Sequence, residues 1–373
     1  MNPLKALQTY GQSVYMDEIR RSMLTDGFLQ TLIDRDGLRG VTSNPAIFQT
    51  AIAETNDYDD AIAKRVKDGM KVIDIYEDLV VEDIQVAADL FRPTYDASGG
   101  RFGYVSLEVN PHLAHDTEGT IREARHLWTR LARPNVFIKV PGTAAGLPAI
   151  TSLIKEGINV NVTLLFGLPR YREVAEAYVA GLEQRHAAGH SVEKVASVAS
   201  FFLSRIDVLL DPMLEKAAQQ NSMSAKDILA LRGTIAIASA KEAYQIYKEV
   251  FSTKKFSSLA NAGAATQRLL WASTSTKNPD YADVMYIEPL IGQDTVNTLP
   301  VNTLDAYRDH GEPADRMETG IDDSRKALAT LPGLGINLDE CTQQLEDEGV
   351  AKFISPFDSL MGTLAEAVNK AAG

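Results

Sequence analysis

Short apolar runs recur along the chain, separated by longer stretches with a three-to-four-residue rhythm. The runs are SVYMD (13–17), GVTSNP (40–45), YVSLEV (104–109), NVFIKVPG (135–142), NVNVTLLF (159–166), KVASVASF (194–201), QRLLWAST (267–274) and DVMYIEPLIG (283–292). They are rich in strand-forming residues. Several are apolar throughout, as parallel strands covered on both faces must be. Between them, TEGTIREARHLWTRLAR (117–133) sets Ile121, Ala124, Leu127, Trp128 and Leu131 at helical spacing. LPRYREVAEAYVAGLEQRHAAG (168–189) does the same with Val174, Ala177, Tyr178 and Leu182.

Eight strands alternating with helices predict an α/β fold of the (β/α)8 TIM-type barrel class. An open, doubly wound sheet is the alternative. The strand count favours the barrel, and no Gly-rich dinucleotide fingerprint follows the first strand. Residues 46–103 and 206–266 are too long for one crossover helix each and are expected to hold additional helices. The connection between the last two runs is too short for a full helix. No low-complexity tract or Pro-rich linker divides residues 1–373, which are read as a single barrel domain. Residues 300–373 are mostly helical in pattern, with a turn-rich break at LPGLGINLDE (331–340), and are expected to pack on the barrel as an extension.

The composition is that of a globular protein, 45% hydrophobic and 23% charged. A net charge of −13 disfavours a nucleic-acid or anionic-membrane partner, because phosphate backbones require an excess of Lys and Arg. It is compatible with a phosphorylated small molecule, which needs two or three well-placed cations. The single cysteine, Cys341, forbids an intrachain disulfide and suits a reducing compartment. The N-terminal segment lacks the apolar core of a signal peptide, and no apolar run reaches membrane-spanning length. A cytoplasmic location is expected, and a monomer or homodimer.

The stretch NVFIKVPGT (135–143) poses the chemical question, because a lysine sits inside an otherwise buried strand. An ammonium there is costly unless something compensates. The predicted strands end in Asp17, Asn44, Glu108, Lys139, Thr163, Ser200 and Ser273. Taken singly, each has a structural explanation as a helix cap, a turn former or a solvent-reaching side chain. A barrel brings them all to one mouth, where active sites of this architecture lie. A desolvated lysine is a nucleophile towards a carbonyl. The carbinolamine it forms loses water to give an imine, which weakens the neighbouring C–C bond. Asp17 and Glu108 are the available proton carriers for those steps.

Together, GVTSNPAIFQ (40–49), SLEVNP (106–111), NVFIKVPGT (135–143), INVNVTLLF (158–166) and LLWASTSTKNP (269–279) resemble the transaldolase family. The length and C-terminal extension resemble its longer bacterial form. The resemblance implies a cofactor-free (β/α)8 enzyme of the pentose phosphate pathway with sugar-phosphate substrates. Such enzymes move a dihydroxyacetone unit from sedoheptulose 7-phosphate to glyceraldehyde 3-phosphate, giving erythrose 4-phosphate and fructose 6-phosphate. It places the Schiff-base lysine at Lys139 and the acid/base aspartate at Asp17. The glutamate and threonine that hold the catalytic water fall on Glu108 and Thr163. Contacts to the dihydroxyacetone hydroxyls fall on Asn44, Asn161 and Ser200.

The family's phosphate site is altered. Many members carry a serine-proline-phenylalanine turn followed by an arginine, whereas this chain has SFFLSR (200–205), which keeps Arg205 but lacks the proline. The second cation of those members is an arginine soon after a serine. Here Ser273 is followed by TSTK, making Lys277 the nearest candidate. A related lysine aldolase, releasing its product to solution, and a non-catalytic sugar-phosphate sensor are the competing readings. His112 and His115, or His186 and His190, offer no third metal ligand, so no metal site is expected.

Overall fold

Eight parallel strands close on themselves in chain order in the computed structural model, which describes residues 2–220 and 223–372. The strands are β1 (Gln12–Met16), β2 (Gly40–Val41), β3 (Tyr104–Glu108), β4 (Val136–Pro141), β5 (Val160–Leu165), β6 (Ser197–Phe202), β7 (Arg268–Ala272) and β8 (Thr295–Leu299). Every residue in them is buried, so their apolar character follows from cover on both sides. Closure pairs Gln12 through Met16 of β1 with Thr295 through Leu299 of β8.

Seven of the eight predicted strands overlap an observed one. The eighth does not. Residues 283–292 form turns and a short 3-10 segment, Glu288–Leu290, and the strand lies further on at Thr295–Leu299. The apolar run is real but serves packing: Ile287, Leu290 and Ile291 are fully buried. Pro289 removes a ladder donor from the middle of it. The true strand, TVNTL, is polar at three of five positions, so it lacks an apolar signature. Each of its three polar side chains has a hydrogen-bond partner inside the protein. Thr295 accepts from Gln12, Thr298 shares a 2.6 Å hydrogen bond with Thr42, and Asn297 donates to the Tyr286 carbonyl.

The two long intervals hold extra helices, as their lengths require. Pro45–Ala53, Asp59–Lys67 and Val72–Ala97 fill the first; Ser204–Gln220, Ala225–Leu229, Ile235–Phe251 and Lys254–Asn261 fill the second. The two patterned stretches are the helices Thr117–Leu131 and Leu168–Ala187. The C-terminal part forms the helices Val301–His310, Ile321–Thr330 and the long Leu338–Ala372. The last packs against Pro45–Ala53, Asp59–Lys67, Val72–Ala97 and Ser204–Gln220. It buries Leu345, Val350, Phe353, Leu360 and Leu364, and Asp358 meets His112 at 2.7 Å.

Inside the barrel, layers stack along the axis. Tyr104 and Phe137 form an aromatic layer, stacked at 4.2 Å between ring centres. Further along the same face, Glu108 lies four residues beyond Tyr104 and Lys139 two beyond Phe137, with Glu108 paired to Lys139 and Lys139 to Asn161 across β3, β4 and β5. Just beyond Thr163 the β5–β6 register shifts, and Leu164 takes a left-handed conformation with φ of 60°. Such a bulge re-aims side chains at a strand end.

The end of β4 is crowded. A Cβ on Gly146 would lie 2.0 Å from the Pro141 carbonyl oxygen, so only glycine permits this approach of helix to strand. Gly146→Ala is therefore expected to lower stability by about 1–3 kcal/mol, as overpacking does, and to displace the strand that carries Lys139. Gly362→Ala is the control: it lies within the last helix with nothing within 4 Å of an added Cβ. It is expected to stabilise by roughly 0.5–1 kcal/mol. Thermal denaturation of both variants checks the pair.

Candidate active site

Lys139 lies on β4 with 4% of its surface exposed. Its Nζ donates to the Ser43 carbonyl at 2.9 Å and stands 3.4 Å from the Glu108 carboxylate. The Phe353 ring, from the last helix, lies 5.8 Å from the same nitrogen. The strand therefore buries the stem, and one carbonyl, one carboxylate and one aromatic face replace the lost water.

A cavity of about 170 Å³ opens above the amine, lined by Asp17, Thr42, Asn44, Lys139, Ser200, Phe202, Arg205, Ala272, Ser273, Ser275, Lys277, Thr298, Pro300 and Phe353. Seven of the ten sequence-predicted site residues meet there: Lys139, Asp17, Asn44, Ser200, Arg205, Ser273 and Lys277. The other three, Glu108, Asn161 and Thr163, lie outside its wall. Glu108 touches Lys139 and lines a separate cavity of about 400 Å³, with Tyr76, Glu123 and Phe357. Asn161 is fully buried; it donates to Ser106 and accepts from Ser200 at 2.7 Å. The Thr163 hydroxyl is buried without a hydrogen-bond partner.

Asn44 shows how the bland and chemical readings coexist. Its side-chain oxygen accepts from the Ile47 N–H and caps the helix Pro45–Ala53, while the residue also lines the cavity. Asp17 accepts from Thr42 at 2.6 Å. Burial pushes the Asp17 carboxyl above its ordinary range, against the opposing pull of Lys139 and the Thr42 hydroxyl. Burial also pushes Glu108 up to about 7; Lys139 pulls it down, and the nearby Asp17 charge adds to the rise. Two carboxyl groups with raised proton affinity, one of them near neutrality, stand beside an amine and are suited to proton transfer.

Two cations stand at the rim. Arg205 is largely covered, and its Nη1 is buried without a hydrogen-bond partner. Desolvation lowers its pKa, partly offset by Asp17 and Glu348. Lys277 donates to Ser275 at 2.7 Å. Its pKa is lowered by desolvation first and then by the neighbouring Arg205 charge. A guanidinium with one buried nitrogen lacking a hydrogen-bond partner, beside a second cation, is suited to an anion.

Several residues that line the chamber or, like Ser43, contact the amine escape the sequence reading. Thr42 and Ser43 lay inside the quoted GVTSNP run, unmarked because the strand end was placed at Asn44. Thr298 was hidden by the misplaced eighth strand. Phe353 comes from a helix far along the chain, and no local pattern marks an aromatic that reaches across a barrel. Among the described residues no group of three or more His, Cys, Asp or Glu is arranged to hold a metal ion, and no helix is long and apolar enough to cross a membrane.

Fold and site together define a (β/α)8 barrel protein with a buried amine and a cation-rimmed polar chamber at the strand ends. The chain belongs to the transaldolase/fructose-6-phosphate aldolase family, whose sequence pattern matches residues 14–364. It is 48% identical to a transaldolase of Trichodesmium erythraeum, over 99% of this chain and 98% of that protein. It is 47% identical to transaldolase 2 of a Nostoc species, over 98% and 97%. A transaldolase of Thiobacillus denitrificans is 46% identical over 98% of this chain and its own entire length.

The Glu108 environment makes a spectroscopic prediction. Its carboxyl carbon should titrate near pH 7, since the group is raised to about 7, and not near the ordinary value of about 4.3. In Lys139→Met the titration should move higher still, because the ammonium that favours the charged form is gone. Carbon NMR difference spectra against Glu108→Gln make the assignment. A midpoint that falls in Lys139→Met contradicts the pairing.

Proposed function

We propose that the protein is a transaldolase that works through a Schiff base on Lys139 and acts in the pentose phosphate pathway of the cytoplasm. The observation that carries this reading is the buried Lys139 amine, 3.4 Å from Glu108, below a chamber rimmed by Arg205 and Lys277. Family membership supports it independently.

The steps follow from the residues in reach. Lys139, as the neutral amine, attacks the ketose C2 carbonyl, and the oxygen takes up a proton. The carbinolamine expels that oxygen as water, with Glu108 supplying the proton and, with Thr163, holding the water. Asp17 then takes the proton from the C4 hydroxyl. The C3–C4 bond breaks, its electron pair moves into the imine, and the aldehyde leaves. The enamine that remains is a bound dihydroxyacetone unit. It attacks the acceptor aldehyde, with Asp17 returning its proton to the new hydroxyl, and Glu108 and the water reverse the first steps. Asn44, Asn161 and Ser200 bind the hydroxyls of the three-carbon unit. Arg205, Ser273 and Lys277 hold the phosphate, where two local cations overcome the repulsion of a chain of net charge −13.

Borohydride reduction in the presence of fructose 6-phosphate should place a stable adduct on Lys139 by peptide mass mapping. An adduct on another lysine refutes the assignment. Turnover of fructose 6-phosphate should require erythrose 4-phosphate as acceptor; acceptor-independent release of dihydroxyacetone would make the enzyme an aldolase. Asp17→Ala should still form the trappable imine but lose about 10²–10⁴-fold in C–C cleavage, the usual loss of a general acid/base. Arg205→Ala should lose roughly tenfold to hundredfold in kcat/KM for fructose 6-phosphate, the equivalent of one charge-assisted hydrogen bond. Unphosphorylated donors should be affected far less.

A further inference from the structure

The connection from β7 to β8, residues 273–294, carries Ser273, Ser275 and Lys277 to the cavity rim with only one short 3-10 segment in it. A connection of that length is expensive to hold in one conformation unless side chains fasten it. Several fastenings lie along one helix, Ser204–Gln220, beside those from β8, where the Thr274 hydroxyl donates to the Thr298 carbonyl and Asn297 to the Tyr286 carbonyl. At its first residue, the Ser204 hydroxyl shares a 2.8 Å hydrogen bond with the Ser273 hydroxyl, and the Ser204 N–H donates to the Ser273 carbonyl at 3.0 Å. Ser273 needs holding, because its φ of 54° is a left-handed conformation unusual for serine.

The next fastenings are two carboxylates four residues apart on that helix, hence on one face. Asp207, 1% exposed, accepts from the Tyr286 hydroxyl at 2.8 Å and from the Ala236 N–H at 2.9 Å. Asp211 accepts from the Tyr281 hydroxyl at 2.6 Å and from the Gly233 N–H at 2.9 Å. Each carboxylate thus ties one tyrosine of the connection to the backbone at or just before the helix Ile235–Phe251. Gly233 has φ of 68°, and a Cβ there would lie 2.8 Å from the Tyr281 ring, so glycine lets the ring seat. Between these fastenings the same helix holds Arg205 at the cavity. Lys277 borders both the mouth and an adjoining cavity of about 300 Å³ that Asp207, Asp211, Tyr281 and Tyr286 line.

We propose that Asp211 with Tyr281 and Asp207 with Tyr286 are positioning residues for the phosphate subsite, setting Ser273 and Lys277 at a fixed span from Arg205. The proposal rests on the phosphate assignment above and adds how that subsite is held. One helix spaces both cations, so the long connection behaves as a rigid wall.

Tyr281→Phe tests it, since only the hydroxyl is lost and the ring still fills its place. Asp211→Asn and Tyr286→Phe are the companions, with melting temperatures taken for all. Binding of inorganic phosphate is measured by calorimetry, and kcat and KM are measured for fructose 6-phosphate and for an unphosphorylated donor. In Tyr281→Phe, phosphate affinity and KM for fructose 6-phosphate should each weaken by about tenfold, the scale of one hydrogen bond. The kcat and the unphosphorylated donor should stay within about twofold. Unchanged phosphate binding, or equal losses on both donors, overturns the proposal. The subsite has its own control: if Arg205→Ala and Lys277→Ala weaken phosphate binding and Tyr281→Phe does not, the phosphate assignment stands and the positioning role falls. If neither cation variant weakens phosphate binding, the assignment itself is wrong.

Discussion

The structure turns on one charged group placed where water is scarce. The Lys139 amine sits among strand residues that are buried, and the side chain of its ion partner Glu108 is buried as well. Removing either partner of such a pair leaves a charge without compensation, which costs far more than the pair itself contributes. The in-step pairing of β3, β4 and β5 is what brings Glu108, Lys139 and Asn161 side by side. A slip of one residue on β4 would turn the lysine to the opposite face. Barrel closure, layer packing and the tight seat of Gly146 all hold that pairing, and the chemistry inherits its geometry from them.

Much of this was legible in the chain because barrels build sites from strand ends. Once NVFIKVPGT is taken as a strand, the position of Lys139 follows, and Asp17, Asn44, Ser200 and Ser273 follow from the same rule. The presence of additional helices in residues 46–103 and 206–266 was legible from the lengths of those intervals. The eighth strand was not. TVNTL buries polar side chains by pairing them across the barrel, and an apolar-run criterion is blind to that solution. The nearby run around Ile287 and Leu290 looked more like a strand because it is equally buried, but Pro289 and its turns give it a different backbone. Thr298 went unseen for the same reason.

Phe353 illustrates a second limit. Its contact with Lys139 joins residues more than two hundred positions apart, and the helical pattern around it says only that one face is apolar. Which surface that face covers is decided by the shape of the barrel. The same holds for the carboxylates of helix Ser204–Gln220. In sequence they are ordinary acidic residues on an amphipathic helix; only the folded chain shows that each is shared between a tyrosine hydroxyl and a backbone N–H.

Barrel closure has a consequence for the life of the molecule before it is finished. The first strand finds one of its two neighbours in residues 295–299, and Lys139 meets an aromatic from position 353. As the chain leaves the ribosome, β1 must wait through most of synthesis with one hydrogen-bonding edge bare. Contacts this distant in sequence form slowly, and unpaired parallel strands are prone to associate with one another. The nascent chain thus carries that bare edge until β8 emerges, and the reactive chamber is completed only afterwards, when the final helix arrives.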